Sequence, residues 1–190
     1  MIPAAYCNLE VRGTVTQGMG TMIVPILARL MTVLHGFFVD HPGCYALDFP
    51  NLKSGSSHKP AVLGRVVRVF SDTRERCDAL LEVIEQNSVV SQYIITGRVR
   101  TVVEHFGPWV SLHRVRVAPR SQPNNRHRDL GNQQTHQAPF LPIHSGSTKQ
   151  HFSLMLERRL YPCECQVTMG VLNTYGLSGV HPVYLPDLPV

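Results

Sequence analysis

The chain has 190 residues, of which 43% are hydrophobic and 16% are charged. This length and balance are typical of one large globular domain or two small ones, and they exclude a largely disordered chain. The sequence shows neither a secretory signal nor an apolar run near the roughly 20 residues that cross a bilayer. Its cysteines number five, which is odd and favours reduced thiols, so we expect a cytoplasmic protein that does not bind a membrane.

The cationic residues are mostly arginines. Lys and Arg number 18 against 13 Asp and Glu, for a net charge of +5, and the only lysines are Lys53, Lys59 and Lys149. The planar guanidinium of arginine binds phosphates and guanine edges better than the point charge of lysine. The composition is therefore compatible with a nucleic-acid partner, although a mildly basic protein more often binds none.

The N-terminal half alternates between two hydrophobic periods. Apolar residues recur at helical spacing over residues 22–39 and 72–86, and Asp72 with Glu75 resembles a capping box at the start of the second helix. Strand-like stretches separate and flank these helices, at residues 5–12, 44–49, 61–70 and 97–105. The resulting order β-α-β-β-α-β predicts a ferredoxin-like fold.

After residue 107 the pattern changes to strands alone. These are predicted at residues 109–117, 140–143, 151–157 and 165–169. Residues 120–138 contain one large apolar side chain, Leu130, and are predicted to form a loop or a marginal helix. We therefore predict an α+β protein with a ferredoxin-like (RRM-like) domain over residues 1–105 and a second, β-rich domain over residues 106–190.

His35 lies at the margin of the apolar stripe of the first helix, near its end. A histidine there can be a packed residue or a helix-terminus cation, and either structural role is commoner than a catalytic one. If its ring is accessible in a cleft, it is the natural general base for a ribose 2′-hydroxyl, because imidazole is well suited to accept a proton at neutral pH.

Residues 144–152 (HSGSTKQHF) combine a glycine with hydroxyl groups and a lysine. Such a stretch can turn tightly and offer N–H groups and hydroxyls to a phosphate. The candidate residues are Ser145, Ser147, Thr148 and Lys149. The spacing of a Walker A loop is absent, and a run of this kind is more often a plain turn.

Arg114 and Arg116 are two residues apart on a predicted strand, so their guanidinium groups would project to one face. A pair of this kind could read two guanines, each contact contributing about 1–3 kcal/mol of discrimination. A solvated strand face is an equally good interpretation of the spacing. Further along, Arg120, Arg126 and Arg128 extend the basic stretch and would contact backbone phosphates.

Two signals for a metal are set aside. The spacing in Cys163-Glu164-Cys165 is too short for a zinc half-site, and the ten histidines form no HExxH or other clustered motif. We therefore expect neither a metal nor another cofactor.

Four stretches together resemble the CRISPR repeat-processing endoribonuclease of the type I-F system. They are residues 30–38 (LMTVLHGFF), 45–52 (YALDFPNL), 139–156 (PFLPIHSGSTKQHFSLML) and 173–179 (NTYGLSG). The resemblance implies that residues 106–190 bind the RNA hairpin of the CRISPR repeat. It also implies cleavage at the 3′ base of that hairpin, by attack of the upstream ribose 2′-hydroxyl on the adjacent phosphate. The enzyme would then stay bound in a surveillance complex with backbone and other subunits.

The resemblance also implies roles for individual residues. Ser145 would hold the reacting ribose, Tyr175 would orient the catalytic histidine, and Phe152 would stack on the terminal base pair of the stem. Arg114 and Arg116 would read the major-groove edge near the stem base. The other residues of the expected RNA-binding set are Arg120, Arg126, Arg128, Ser147, Thr148, Lys149 and Gln150.

Three departures from the family pattern bear on these roles. The best-known members carry the catalytic histidine where this chain has Val39, and we expect His35, one turn earlier on nearly the same helix face, to take the role. A glutamine usually stands in place of Arg116, and the family's arginine-rich helix is shortened here. The form LHGF resembles the transposon-associated branch, which implies a transposition adaptor as a further partner.

Three functions stay open on these grounds. The first is an active endoribonuclease with His35 as the base. The second is a module that caps the RNA hairpin with weak or absent cleavage, because Val39 replaces the usual base. The third is an unrelated ferredoxin-like protein that binds no RNA, since this fold serves many functions.

Overall fold

The computed structural model describes residues 1–12, 23–105, 107–116, 137–144, 150–162 and 170–190. The predicted strand over residues 165–169 lies outside this part, as does the segment over residues 120–138 except for its last two residues. The described elements are, in chain order, β1 (Ala5–Val11), α1 (Ile23–Asp40), β2 (Tyr45–Asp48), β3 (Val66–Ser71), α2 (Arg74–Gln86), β4 (Ile94–Thr96), β5 (Arg100–Thr101), β6 (Trp109–Val115), β7 (Phe140–His144), β8 (His151–Tyr161) and β9 (Leu185–Pro186).

The N-terminal strands form one antiparallel sheet. Its strands lie in the order β2-β3-β1-β4, and β5 pairs with the start of β1 while β4 pairs with its end. With α1 after β1 and α2 after β3, the chain follows the β-α-β-β-α-β order of a ferredoxin-like fold. The predicted α+β class is therefore confirmed.

Two of the predicted strands differ from the observed ones, in both cases at a glycine. In place of one strand over residues 97–105, the structure has β4 before Gly97 and the short β5 after it. The N–H of Gly97 donates to the Asn8 carbonyl at 2.7 Å, so the backbone approaches β1 closely there. The strand predicted from residue 61 begins only at Val66, because Gly64 has a φ of 83° and interrupts the extended conformation.

Helix α1 forms as its apolar spacing predicts and lies between the two sheets of the molecule. It is long and apolar enough to pass as a candidate membrane span by length and composition, with 39% of its residues buried inside the fold. Its apolar stripe contributes to the main core and consists of Ile26, Leu27, Leu30, Met31, Leu34 and Phe38. Burial of that stripe against both sheets identifies α1 as the central core helix of this fold.

The start of helix α2 corrects one prediction. The N-cap is Thr73, whose side chain accepts a hydrogen bond from the N–H of Arg76 at 3.3 Å. The predicted capping box of Asp72 with Glu75 is therefore wrong by one residue. The carboxylate of Asp72 instead accepts from the guanidinium of Arg76 at 2.9 Å, one helical turn further on.

The C-terminal strands form a second antiparallel sheet in the order β7-β8-β6-β9. Strand β8 continues to Tyr161, beyond the predicted end at residue 157, because its residues 155–161 pair with the whole of β6. Alternate residues face the core, and those of the two central strands and β7 include Leu112, Leu141, Ile143, Leu154 and Leu156.

Hydrophobic packing and an ion-pair network join the two sheets. The core cluster contains α1 together with residues of β1, β3, β7 and β8, so the predicted division after residue 105 stays a prediction. The guanidinium of Arg158 on β8 donates to Asp48 on β2 at 2.7 Å and to Asp187 at 2.7 Å. Asp48 is fully buried, and removing one partner of such a group typically costs about 3–5 kcal/mol.

Candidate functional site

The ring of His35 is held on two sides by the segment that contains Tyr175. Its Nδ1 donates to the backbone carbonyl of Thr174 at 2.9 Å, since a carbonyl oxygen can only accept. The imidazole stacks on the phenol of Tyr175, with 4.0 Å between the ring centroids and 4° between the planes. With the proton on Nδ1, the neutral ring keeps a lone pair on Nε2, and the half-buried side chain can act as a base there.

The turn that carries these contacts is packed against α1 and β2. Gly176 has a φ of 68°, and a Cβ at this position would lie 2.9 Å from Cε2 of Phe38. The Gly176 carbonyl accepts from the N–H of Leu47 at 2.9 Å. The sequence folds this way because glycine alone adopts the required conformation without strain and leaves room for the Phe38 ring. Tyr175 is thereby fixed beside His35.

Phe152 and Arg114 extend the ring contacts away from His35. The ring of Phe152 meets Tyr175 edge to face, with centroids 6.3 Å apart and planes at 83°. The guanidinium carbon of Arg114 lies 5.1 Å from the centroid of Phe152, within the range of a cation–π contact. Burial raises the pKa of the Tyr175 phenol, with a smaller opposing effect of Arg114, so the phenol stays protonated at neutral pH.

Arg114 and Arg116 line one open cavity of 670 Å³ together with Val115, Ser153 and Met155. Both arginines are exposed, and neither forms a salt bridge within the described part of the chain. Among the described residues, no carboxylate therefore neutralises their positive charge. A cavity of this kind can take up a negatively charged, planar-edged ligand.

The hydroxyl-rich loop lies outside the described residues. Its predicted site residues are Ser145, Ser147, Thr148 and Lys149, and the arginines Arg120, Arg126 and Arg128 likewise fall on residues that are not described. The loop connects β7 to β8, whose terminal pair is His144 with His151. Gln150 is exposed, and Phe152, two residues further on, contacts Tyr175. Both flanking ends of this segment thus lie close to the stacked rings of His35 and Tyr175.

Two neighbours of His35 on α1, Gly36 and Val39, leave free space on the surface beside it. A Cβ added at Gly36 would have no atom within 4 Å. One turn further on, Val39 is 50% exposed and offers no group that could accept a proton. His35 is therefore the residue of this helix face with chemistry suited to proton transfer.

Thr174 and Asn173 were missed by the analysis of the sequence. The carbonyl that holds His35 is a backbone group, and it lies 139 residues away along the chain, so no side-chain pattern indicates it. The available signal was the spacing of Asn173 and Gly176, which is typical of a tight turn. Among the described residues, no three His, Cys, Asp or Glu side chains gather as a metal site.

Comparison with known protein families identifies a match over most of the chain. The sequence profile of the family described as CRISPR-associated protein (Cas_Csy4) matches residues 15–186, which is most of the chain. A search among curated proteins gave no match. Members of this family process CRISPR precursor RNA, bind the hairpin of the CRISPR repeat and act in the type I-F complex. The chain therefore belongs to the Cas_Csy4 family, the repeat-processing endoribonucleases of type I-F CRISPR systems.

Proposed function

We propose that this chain binds the stem-loop of its CRISPR repeat and cleaves the RNA at the 3′ base of the stem without a metal ion. His35 Nε2 takes the proton from the upstream ribose 2′-hydroxyl, which Ser145 holds in place. A bond forms between that 2′-oxygen and the adjacent phosphorus, and the bond from phosphorus to the 5′-oxygen breaks. The products are a cyclic phosphate and, once the leaving oxygen has gained a proton, a 5′-hydroxyl.

The observation that carries this proposal is the hydrogen bond from His35 Nδ1 to the Thr174 carbonyl at 2.9 Å. It selects the tautomer with an unprotonated Nε2, which is the form that a general base needs. A positioned base of this kind typically accelerates a reaction by about 10²–10⁴-fold. Stacking on Tyr175 restricts rotation of the ring, so the lone pair keeps one direction.

Binding of the hairpin would use the cationic surface next to His35. Phe152 stacks on the last base pair of the stem, and Arg114, held over the Phe152 ring, reads a guanine edge there with Arg116 beside it. The remaining expected contacts go to the RNA backbone and come from Arg120, Arg126, Arg128, Ser147, Thr148, Lys149 and Gln150. The cut would fall where the stacked stem ends, next to the base.

A role in the surveillance complex requires that the protein keeps its cleaved RNA tightly bound. In this proposal residues 1–105 carry the base and residues 106–190 hold the hairpin. The protein stays on the processed RNA in the cytoplasm, as a subunit of the surveillance complex beside its backbone subunits. A transposition adaptor is a further partner if the system is of the transposon-associated kind.

A second candidate function is capping of the hairpin with little or no cleavage. Val39 favours it, because this exposed position holds the catalytic histidine in the best-known members of the family and carries no proton acceptor here. The two functions differ in one property, which is whether bound RNA is cut.

A denaturing gel of end-labelled repeat RNA, incubated with protein in excess and EDTA present, separates the two. We expect one cut at the 3′ base of the stem, which His35→Ala reduces by about 10²-fold or more while hairpin affinity is retained. His41→Ala is the matched control, because the His41 Nδ1 also donates to a backbone carbonyl, that of Phe37, at 2.9 Å, and its ring stacks on Phe37. It should cleave like the wild type. Tight binding of uncut RNA by the wild type would establish capping instead.

A further inference from the structure

A single peptide unit lies between the side chains of Asn173 and His35. Its carbonyl belongs to Thr174 and accepts from His35 Nδ1 at 2.9 Å, while its N–H belongs to Tyr175 and donates to Asn173 Oδ1 at 2.8 Å. A trans peptide is planar, and its C=O and N–H point in opposite directions. Fixing the N–H at one side therefore fixes the direction of the carbonyl at the other.

Asn173 is itself held by the turn that it starts. Its Oδ1 also accepts from the N–H of Leu177 at 3.2 Å. Its backbone N–H donates to the Leu177 carbonyl at 2.9 Å, and its carbonyl accepts from Gly176 at 2.9 Å. Leu177 is fully buried, so this framework is anchored in the core. The amide oxygen cannot turn away from Tyr175 without losing its bond to Leu177 as well.

The peptide between Thr174 and Tyr175 is the central peptide of the turn closed by Gly176 and Asn173. Turns of types I and II differ by a flip of this peptide, which exchanges the directions of its C=O and N–H. After a flip, His35 Nδ1 would face a donor and would keep its lone pair, so Nε2 would carry the proton. That tautomer cannot accept a proton at Nε2. The flip places Tyr175 at a positive φ, which opposes it, so loss of the Asn173 bond should give a mixture of both tautomers.

We propose that Asn173 is a positioning residue that sets the tautomer of His35 through this peptide unit. Hydrogen bonds in series polarise one another, so the bond to Asn173 also strengthens the bond from the peptide carbonyl to the imidazole. The effect of Asn173 on cleavage rests on the proposed function of His35, whereas its effect on the tautomer does not.

Nitrogen NMR of protein labelled in the histidine rings tests the tautomer directly. In the wild type, His35 should carry its proton on Nδ1, and Asn173→Ala should add a population protonated on Nε2. Asn173→Asp should restore the wild-type tautomer, because a carboxylate oxygen accepts the same two N–H groups. Under saturating protein with EDTA, Asn173→Ala should cleave repeat RNA more slowly, by the same factor by which the Nδ1-protonated population falls, with unchanged hairpin affinity, and Asn173→Asp should recover the rate.

Asn87→Ala is the matched control. Asn87 Oδ1 accepts from the N–H groups of Val89 at 3.0 Å and Val90 at 3.3 Å, in a turn of the same kind after α2. This variant should leave the His35 tautomer and the cleavage rate unchanged. The proposal is overturned if Asn173→Ala keeps the wild-type tautomer. It is also overturned if Asn173→Ala and Asn87→Ala lose cleavage equally. If His35→Ala cleaves like the wild type, the proposed function fails, and the NMR spectra still decide the role of Asn173.

Discussion

His35 and His113 show how neighbouring groups give two histidines different roles. The half-buried ring of His35 bonds through Nδ1 to a backbone carbonyl, so that the lone pair of the neutral ring is on Nε2. His113 is 7% exposed, and its Nε2 lies 2.6 Å from the hydroxyl of Ser111, inside the C-terminal sheet. Burial lowers the pKa of His113, Arg159 lowers it further, and Glu157 opposes these effects. His113 is therefore a structural histidine that is neutral at pH 7 in the folded protein.

The lowered pKa of His113 predicts a loss of stability in mild acid. As pH falls below the ordinary histidine value of 6.5, the unfolded chain binds a proton that the folded chain does not bind. The free energy of unfolding then falls with decreasing pH, by at most about 1.4 kcal/mol per pH unit, until the lowered pKa of the folded state is reached.

Thermal unfolding at pH 7.5 and pH 5.5 measures this effect. His113→Gln should lose less stability between the two pH values than the wild type does, while the exposed His181→Gln should behave like the wild type. Equal losses in all three proteins would show that His113 does not carry the pH dependence.

At the scale of elements, the sequence predicted what depends on local spacing. The predicted helix over residues 22–39 matches Ile23–Asp40 because its apolar stripe faces one core. The last strands of the first sheet were misplaced, since β4 and β5 are defined by pairing with β1 and by the close approach at Gly97. The Arg114–Arg116 alternation was visible in the sequence. The Thr174 carbonyl was not, because it meets His35 only through the fold.

Gly176 is the residue on which the Tyr175 turn depends most directly. Gly176→Ala should lower the free energy of unfolding by about 2–3 kcal/mol, because the methyl group adds strain at a positive φ and a contact at 2.9 Å with the Phe38 ring. Cleavage should fall as well, because the turn moves with respect to His35. Denaturant unfolding and the gel assay measure the two effects.

Comparison with Gly43→Ala separates the contribution of packing against Phe38 from that of backbone strain. Gly43 has a φ of 75°, yet a Cβ there would meet nothing within 4 Å, so only the backbone strain remains. We expect a loss of about 1 kcal/mol in this variant with normal cleavage. The same loss of stability in both variants would argue against a packed turn.

At the scale of the whole molecule, α1 connects the proposed base to the proposed binding surface. Its core face packs on both sheets, while its last turns present His35 to the segment around Tyr175. The same C-terminal sheet supplies Phe152 and Arg114, and the buried pair of Arg158 with Asp48 ties it to the first sheet. A hairpin bound along Arg114 and Phe152, as we propose, would therefore meet a histidine whose position is fixed by the core of both sheets.

In the proposed mechanism, His35 removes a proton from the attacking hydroxyl and does not deliver one to the leaving oxygen. The most direct test is the single-turnover cleavage rate of wild type and His35→Ala on repeat RNA with sulfur in place of the leaving 5′-oxygen. A thiolate leaves without protonation, because a thiol is far more acidic than an alcohol. We predict that His35→Ala stays about 10²-fold slower than the wild type on this RNA. Equal rates for the two proteins on the sulfur-substituted RNA would contradict the assignment of His35 as the base.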